Sequence, residues 1–328
     1  MRDSLALNSH LRHFQFQRIP DCLRCLFSIQ NLHGAKVKGC ALANKILSFN
    51  LQKTDCLRRI ILCCTLCVVF VSVKSQTFLS PVSIVYTRTN TYSSIHNDAF
   101  SFVANQAALA RSKNFSAGFY GERRFMLTDL SSYQLAAALP TSSGNFGLQG
   151  SYTGNSAFNE TGLGLAYARS LGQVDVGVQF NYYQVRAAGY GNASAVNFEI
   201  GGILHVTEQF ETGVHIYNPT HSSIGKTGEE KLPMNYSFGL GYDVSEKFFI
   251  GTEIQKEEDR PINLNIGLQY SFDKKLFARA GISSATSSFY FGAGFLLNGF
   301  RIDVTTSIHP SLGPTPGMLI VYNSPAKN

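Results

Sequence analysis

The sequence has no tryptophan, and from Gln76 to its last residue it has no cysteine. All seven cysteines (Cys22, Cys25, Cys40, Cys56, Cys63, Cys64 and Cys67) lie before residue 68. A long thiol-free stretch rules out a disulfide framework there and suits a chain that crosses an oxidising compartment unfolded. Cys22 and Cys25 form one CxxC with no second pair at zinc spacing, so no metal site is expected from them. Charge is scarce too, at 15% of residues, and unevenly placed. Residues 1–75 hold 11 Lys/Arg and 3 Asp/Glu, net +8, which leaves 17 and 18, net −1, for residues 76–328. The basic pI therefore belongs to the leader, and no nucleic-acid partner is expected.

Long apolar runs are also lacking, with one exception. Ile60 to Val73 follows Arg58 and Arg59 and leads into Val73-Lys74-Ser75. It is shorter than the roughly twenty residues of a spanning helix. A basic start, a short apolar block and small residues at the exit predict a signal peptide over 57–75, cleaved after Ser75. Residues 1–56 show no steady hydrophobic period, and no methionine occurs between Met1 and Met126. They are expected to be an over-extended or non-native leader, with Leu57 read from a non-ATG start. Peptides from residues 1–50 in the native protein would rule that out.

What the rest of the chain has is alternation. Leu163, Leu165 and Tyr167 interleave with Gly162, Gly164, Ala166 and Ala168. Val174, Val176, Val178, Phe180 and Tyr182 interleave with Asp175, Gly177, Gln179, Asn181 and Tyr183. A period of two marks strands, and such runs predict about fourteen: near 114–126, 131–140, 144–154, 160–170, 173–186, 195–207, 210–218, 234–244, 248–257, 262–272, 276–284, 287–297, 300–309 and 315–323. Short connections such as Leu171-Gly172 and Asn298-Gly299 interleave with a longer set, Asn155–Asn159, Ala187–Ser194, Pro219–Pro233 and Pro310–Pro314. Outer-membrane barrels sort their loops in this way.

The polar face is made mostly of Gly, Ala, Ser, Asn and Gln, while the apolar face is large and continuous. Fourteen strands close around more space than those apolar side chains could fill, whereas lipid outside and a polar lumen inside satisfy both faces. The fold expected is all-β: an antiparallel transmembrane barrel over residues 114–328, with residues 76–113 as a plug or lead-in segment. With no tryptophan, an interfacial girdle falls to tyrosines near strand ends: Tyr120, Tyr152, Tyr182, Tyr217, Tyr242, Tyr270 and Tyr322.

Charges on the polar face are the candidate lumenal residues: Glu122, Arg124, Asp175, Glu199, Asp243, Glu253, Arg279, Arg301 and Asp303. They would either steer an anionic ligand or brace the interior as ion pairs. Histidines His96, His205, His215, His221 and His309 show no ligand spacing, and His205 and His215 lack a visible carboxylate partner. Gly225-Lys226-Thr227 has threonine at 220 where a phosphate loop needs glycine. No acid–base or nucleophile set emerges, so neither an enzyme nor a cofactor is expected.

Asp98-Ala99, continuing through Asn105-Gln106-Ala107-Ala108-Leu109, resembles the "Asp-Ala…Asn-Pro-Ala-Ala-Leu" phrase of the FadL-like outer-membrane barrels, with Gln106 in the proline position. Tyr217-Asn218-Pro219 and Leu312-Gly313-Pro314-Thr315-Pro316-Gly317 resemble further phrases of that family. The resemblance covers about 76–328 and is closest to the PorV/PorQ-type barrels of type IX secretion. It implies a signal peptide, an N-terminal plug and fourteen strands in the bacterial outer membrane. It also implies transport of a small hydrophobic or amphipathic solute. Alternatives are a non-transporting secretion-system barrel or shuttle that binds secreted protein cargo through its loops, and a secreted soluble β-protein or adhesin.

Overall fold

The computed structural model of the chain describes residues 85–225, 230–258 and 260–325. The expected leader (1–56) and signal peptide (57–75) lie outside these residues, as do Lys226 and Thr227.

Fourteen strands close into one antiparallel barrel: β1 (Ser116–Arg123), β2 (Ser131–Thr141), β3 (Gly144–Gly154), β4 (Phe158–Leu171), β5 (Val174–Ala187), β6 (Gly191–His205), β7 (Phe210–Tyr217), β10 (Asn235–Ser245), β11 (Phe248–Glu257), β12 (Asn263–Ser271), β13 (Leu276–Ser283), β14 (Ser288–Leu297), β15 (Phe300–His309) and β16 (Gly313–Asn323). Between β7 and β10 the chain forms a separate small hairpin, β8 (Ser223–Ile224) with β9 (Glu230–Lys231). The seam closes where β1 pairs with β16, from Ser116↔Asn323 to Glu122↔Gly317.

Alternation decides which face meets what. Along β5, Val174, Val176, Val178 and Phe180 are exposed on the outer wall, while Asp175, Gln179 and Asn181 are buried inside. Leu163 and Leu165 of β4 are 55% and 58% exposed, which suits hydrocarbon rather than water. Among the described residues no helix is long and apolar enough to cross a membrane. Strands do the crossing, and closure pairs every ladder group that lipid could not satisfy.

The loops differ from expectation. On the side of the chain ends the strands are joined by turns of two to four residues, such as 172–173 and 206–209. On the other side β4, β6 and β16 begin earlier than their apolar pattern does, which trims three of the expected long loops to 155–157, 188–190 and 310–312. The reason is physical. Residues such as Asn192 and Ser194 are exposed, so they carry no apolar face, yet the backbone ladder continues through them. Only 218–234 is long. Tight turns mark the periplasmic side of such barrels, which makes 218–234 extracellular. Two girdle tyrosines are also corrected: Tyr120 and Tyr217 are buried inside, whereas Tyr152, Tyr182, Tyr242 and Tyr270 are exposed outside.

Residues 85–113 lie within the barrel. They form α1 (Val85–Asn90), α2 (Ser101–Ala104) and a 3-10 helix, Gln106–Arg111. Phe100, Phe102 and Leu109 pack on the small side chains Ala136, Ala138, Ala166 and Ala168, beside Leu319 and Val321. Burying each large apolar side chain is worth about 1.5–3 kcal/mol. The glycines of the inner face are the imprint of this segment. A Cβ on Gly177 would strike the Gln106 backbone, and one on Gly239 would strike the Tyr92 ring.

Candidate functional site

The lumen is where chemistry concentrates, and residues 85–113 act in it as a plug pinned at several points. Asn105 explains the phrase that begins with it. Its Oδ1 accepts from the Ala107 N–H at 3.1 Å, capping the 3-10 helix. Its Nδ2 donates to the Val214 carbonyl of β7 at 3.1 Å, and Gly201 supplies the room. Gln106 donates from Nε2 to Glu199 Oε2 at 2.7 Å.

On the β13–β15 wall the anchor is ionic. Arg301 Nη2 lies 2.6 Å from Asp98 Oδ2 of the plug, and its Nε is 3.2 Å from Asp303 Oδ1. Arg279 Nη1 reaches Asp303 Oδ2 at 2.8 Å, and its guanidinium sits 3.9 Å above the Tyr86 ring. Burial, aided by Asp98, pushes the Tyr86 hydroxyl well above its ordinary pKa, so it stays protonated. Burial also pushes the Asp98 carboxyl up, but Arg301 and Arg279 outweigh it and hold Asp98 below the usual carboxylate value.

On the opposite wall the plug brings the cations. Arg111 Nη1 lies 2.6 Å from Glu211 Oε2, and its Nε is 3.4 Å from Asp175 Oδ2. The same guanidinium donates to the carbonyls of Ser93 and Thr91, tying the plug to itself. Arg88 stands 3.5 Å from Glu253, which also accepts from the Tyr92 hydroxyl at 3.4 Å. Ser93 Oγ donates to Asp243 Oδ1 at 2.7 Å, and the Ser94 N–H and hydroxyl reach the other oxygen.

Eight of the nine candidate residues, Glu122, Asp175, Glu199, Asp243, Glu253, Arg279, Arg301 and Asp303, are buried on the inner face. Arg124 sits beyond the end of β1 in a 3-10 turn, where its Nε still bonds Glu122 Oε1 at 2.9 Å. The structure does not gather the nine into one site. It distributes them as plug anchors and as the Glu122–Arg124 pair at the mouth.

The histidines correct the sequence reading. His205 lies 2.8 Å from Asp175 and 3.0 Å from Glu211, His215 2.8 Å from Glu199, and His96 3.2 Å from Asp243. Each carboxylate comes from a neighbouring strand or across the lumen, where sequence spacing is uninformative. Arg88, Arg111 and Glu211 went unnoticed for the same reason. Among the described residues no group of three His, Cys, Asp or Glu could hold a metal ion.

Residues 129–311 match the family described as type IX secretion system membrane protein PorP/SprF. The chain belongs to that family. Curated proteins offer no match. Solved structures share its fold at low identity. A CymD monoaromatic hydrocarbon channel is 11% identical with a TM-score of 0.53, covering 69% of this chain and 92% of that one. A TodX monoaromatic hydrocarbon channel mutant lacking S2 and S3 is 11% identical with a TM-score of 0.54, covering 73% and 98%. This PorP/SprF chain thus shares the closed β-barrel fold of those channels, and its family match runs from the end of the first loop to the last hairpin.

Proposed function

We propose that this PorP/SprF-family barrel serves type IX secretion as a plugged, non-conducting and non-catalytic component that holds protein cargo at its extracellular loops. The carrying observation is the filled lumen, in which residues 85–113 meet barrel carboxylates and arginines on both walls. A hydrophobic solute would have to displace these contacts and lie against bare amides and carboxylates. Each such group left buried and unpaired costs about 1–3 kcal/mol, more when charged. That cost weighs against the transport reading, which needs the plug to leave first. The long loop 218–234 and the apolar rim residues Met126, Leu127 and Leu130, all exposed, are the surface offered to cargo.

The test pairs two measurements. Affinity-tagged barrel isolated from secreting cells should carry secreted cargo, and shortening loop 218–234 should abolish the association. The same barrel in liposomes should pass neither toluene nor fatty acid. Solute flux without bound cargo overturns the proposal in favour of transport.

A further inference from the structure

At the periplasmic mouth, β5, β6, β7 and β10 bring titratable side chains together around the lower end of the plug. Asp175 follows the turn 172–173, and His205 and Glu211 flank the turn 206–209. The side chains of Asp175 and Glu211 are 1% and 2% exposed, whereas that of His205 is 27% exposed. His205 therefore meets water at the mouth while the two acids do not.

The imidazole lies between those acids. Its Nε2 is 2.8 Å from Asp175 Oδ2, and its Nδ1 is 3.0 Å from Glu211 Oε1. A neutral imidazole has one N–H and one bare nitrogen, and only the imidazolium donates on both sides. With a carboxylate at each nitrogen, the ring makes both bonds only when it is charged. Histidine is also the side chain that ordinarily changes charge between about pH 5 and 8.

Arg111 of the plug leans on the same two acids, with poorer geometry. Its Nε is 3.4 Å from Asp175 Oδ2, the oxygen that His205 holds at 2.8 Å. Its Nη1 comes within 2.6 Å of Glu211 Oε2, yet that oxygen has no hydrogen bond, and Nη1 donates to the Ser93 carbonyl at 2.7 Å. Nη2 reaches the Thr91 carbonyl at 3.2 Å. Arg111 thus ties two plug segments to each other and to the wall. Whatever loosens it loosens the lower end of the plug.

We propose that His205 is a proton-operated release for that lower end, acting by competition with Arg111 for Asp175 and Glu211. A charged His205 claims Asp175 Oδ2 and sets a second positive charge beside Arg111, where burial leaves little water to screen the repulsion. A neutral His205 leaves both carboxylates to the guanidinium. Protonation therefore weakens the hold of Arg111, and deprotonation strengthens it. Two further titratable groups face this cluster, Asp243 of β10 and His96 of the plug, 3.2 Å apart. His96 acts in the opposite sense, because a charge on it draws the plug toward the wall. The release does not depend on what the barrel holds at its extracellular loops.

The experiment follows hydrogen exchange of plug amides 105–111 in the full chain, in detergent and corrected for its intrinsic pH dependence. The parent background is His96→Gln, which removes the opposing group. Exchange there should be at least about fivefold faster near pH 5 than near pH 8, a coupling of ordinary size between two sites. Adding His205→Gln should abolish that step, and heat-modifiable gel mobility confirms that each variant is folded. A reciprocal measurement leaves the wall intact. By linkage, Arg111→Gln should move the titration of the His205 ring, followed by nitrogen NMR, to higher pH. Three results overturn the proposal: exchange no faster at the lower pH in His96→Gln, a step that survives His205→Gln, or a His205 titration unmoved by Arg111→Gln.

Discussion

At the scale of single residues, Asp98 carries the most weight per atom. It is the one acid of the described plug that faces a barrel arginine; stranding a buried charge costs about 3–5 kcal/mol, and losing Asp98 costs less than that because Arg301 keeps Asp303 at 3.2 Å. Asp98→Asn should loosen residues 85–113 without opening the barrel. Hydrogen exchange should rise across the plug, while heat-modifiable mobility stays as in the parent. Acid should act in the same direction. The folded carboxyl titrates below its ordinary value of 3.8. Its contribution is therefore complete above that value and is lost as pH falls through the depressed one. Plug exchange, corrected for its intrinsic pH dependence, should rise at the acid end in the parent and lack that step in Asp98→Asn. Gly239 tests steric fit instead of charge. A valine there overlaps the Tyr92 ring, so Gly239→Val should expel that ring and make Arg88 and Arg111 open to trypsin. If both arginines stay protected, the plug is not held where the structure has it.

At the scale of elements, the strands were legible and their partners were not. Each wall residue faces either lipid or lumen, so the side-chain period of two is imposed along the whole membrane crossing. The fourteen strands therefore stand out in runs such as 174–183. Loop ends faded where Asn192 and Ser194 leave the hydrocarbon, because a strand with two wet faces has no hydrophobic period. The inward glycines looked like a merely small face. Only packing reveals that Gly177 and Gly239 are small because the plug touches them. Anchors were hidden most completely, since Asp98 meets Arg301, and Arg111 meets Glu211, across spans that no local pattern records. The two wall faces make a paired prediction. Leu165→Arg points a cation at lipid and should destabilise the barrel by about 2–4 kcal/mol if it sits at mid-membrane. Leu165→Val, on the same face, should be nearly silent. Urea or guanidinium unfolding in liposomes reads both, and equal effects would show that position 165 does not face hydrocarbon.

At the scale of the whole molecule, the inner wall and the plug divide the charge unequally. Among the described residues the wall buries seven carboxylates, Glu122, Asp175, Glu199, Glu211, Asp243, Glu253 and Asp303, against two arginines, Arg279 and Arg301. The plug answers with Arg88 and Arg111 on the acidic side and Asp98 on the basic one. The plug's two arginines thus offset part of the wall's negative charge only while the plug is seated, and without them the carboxylates in a low-dielectric bore repel one another more strongly. Removing residues 85–112 should leave a barrel that still closes, because the ladder from Ser116 to Asn323 does not involve them. It should also leave a water-filled path lined by excess negative charge. In planar bilayers the intact protein should be silent, and the deletion should conduct with a preference for potassium over chloride that weakens as salt rises and screens the wall. Conductance of the intact protein equal to that of the deletion would mean that the plug does not seal the lumen, and the non-conducting role in secretion would fail with it. Anion preference in the deletion would instead overturn the assignment of those seven carboxylates to the bore.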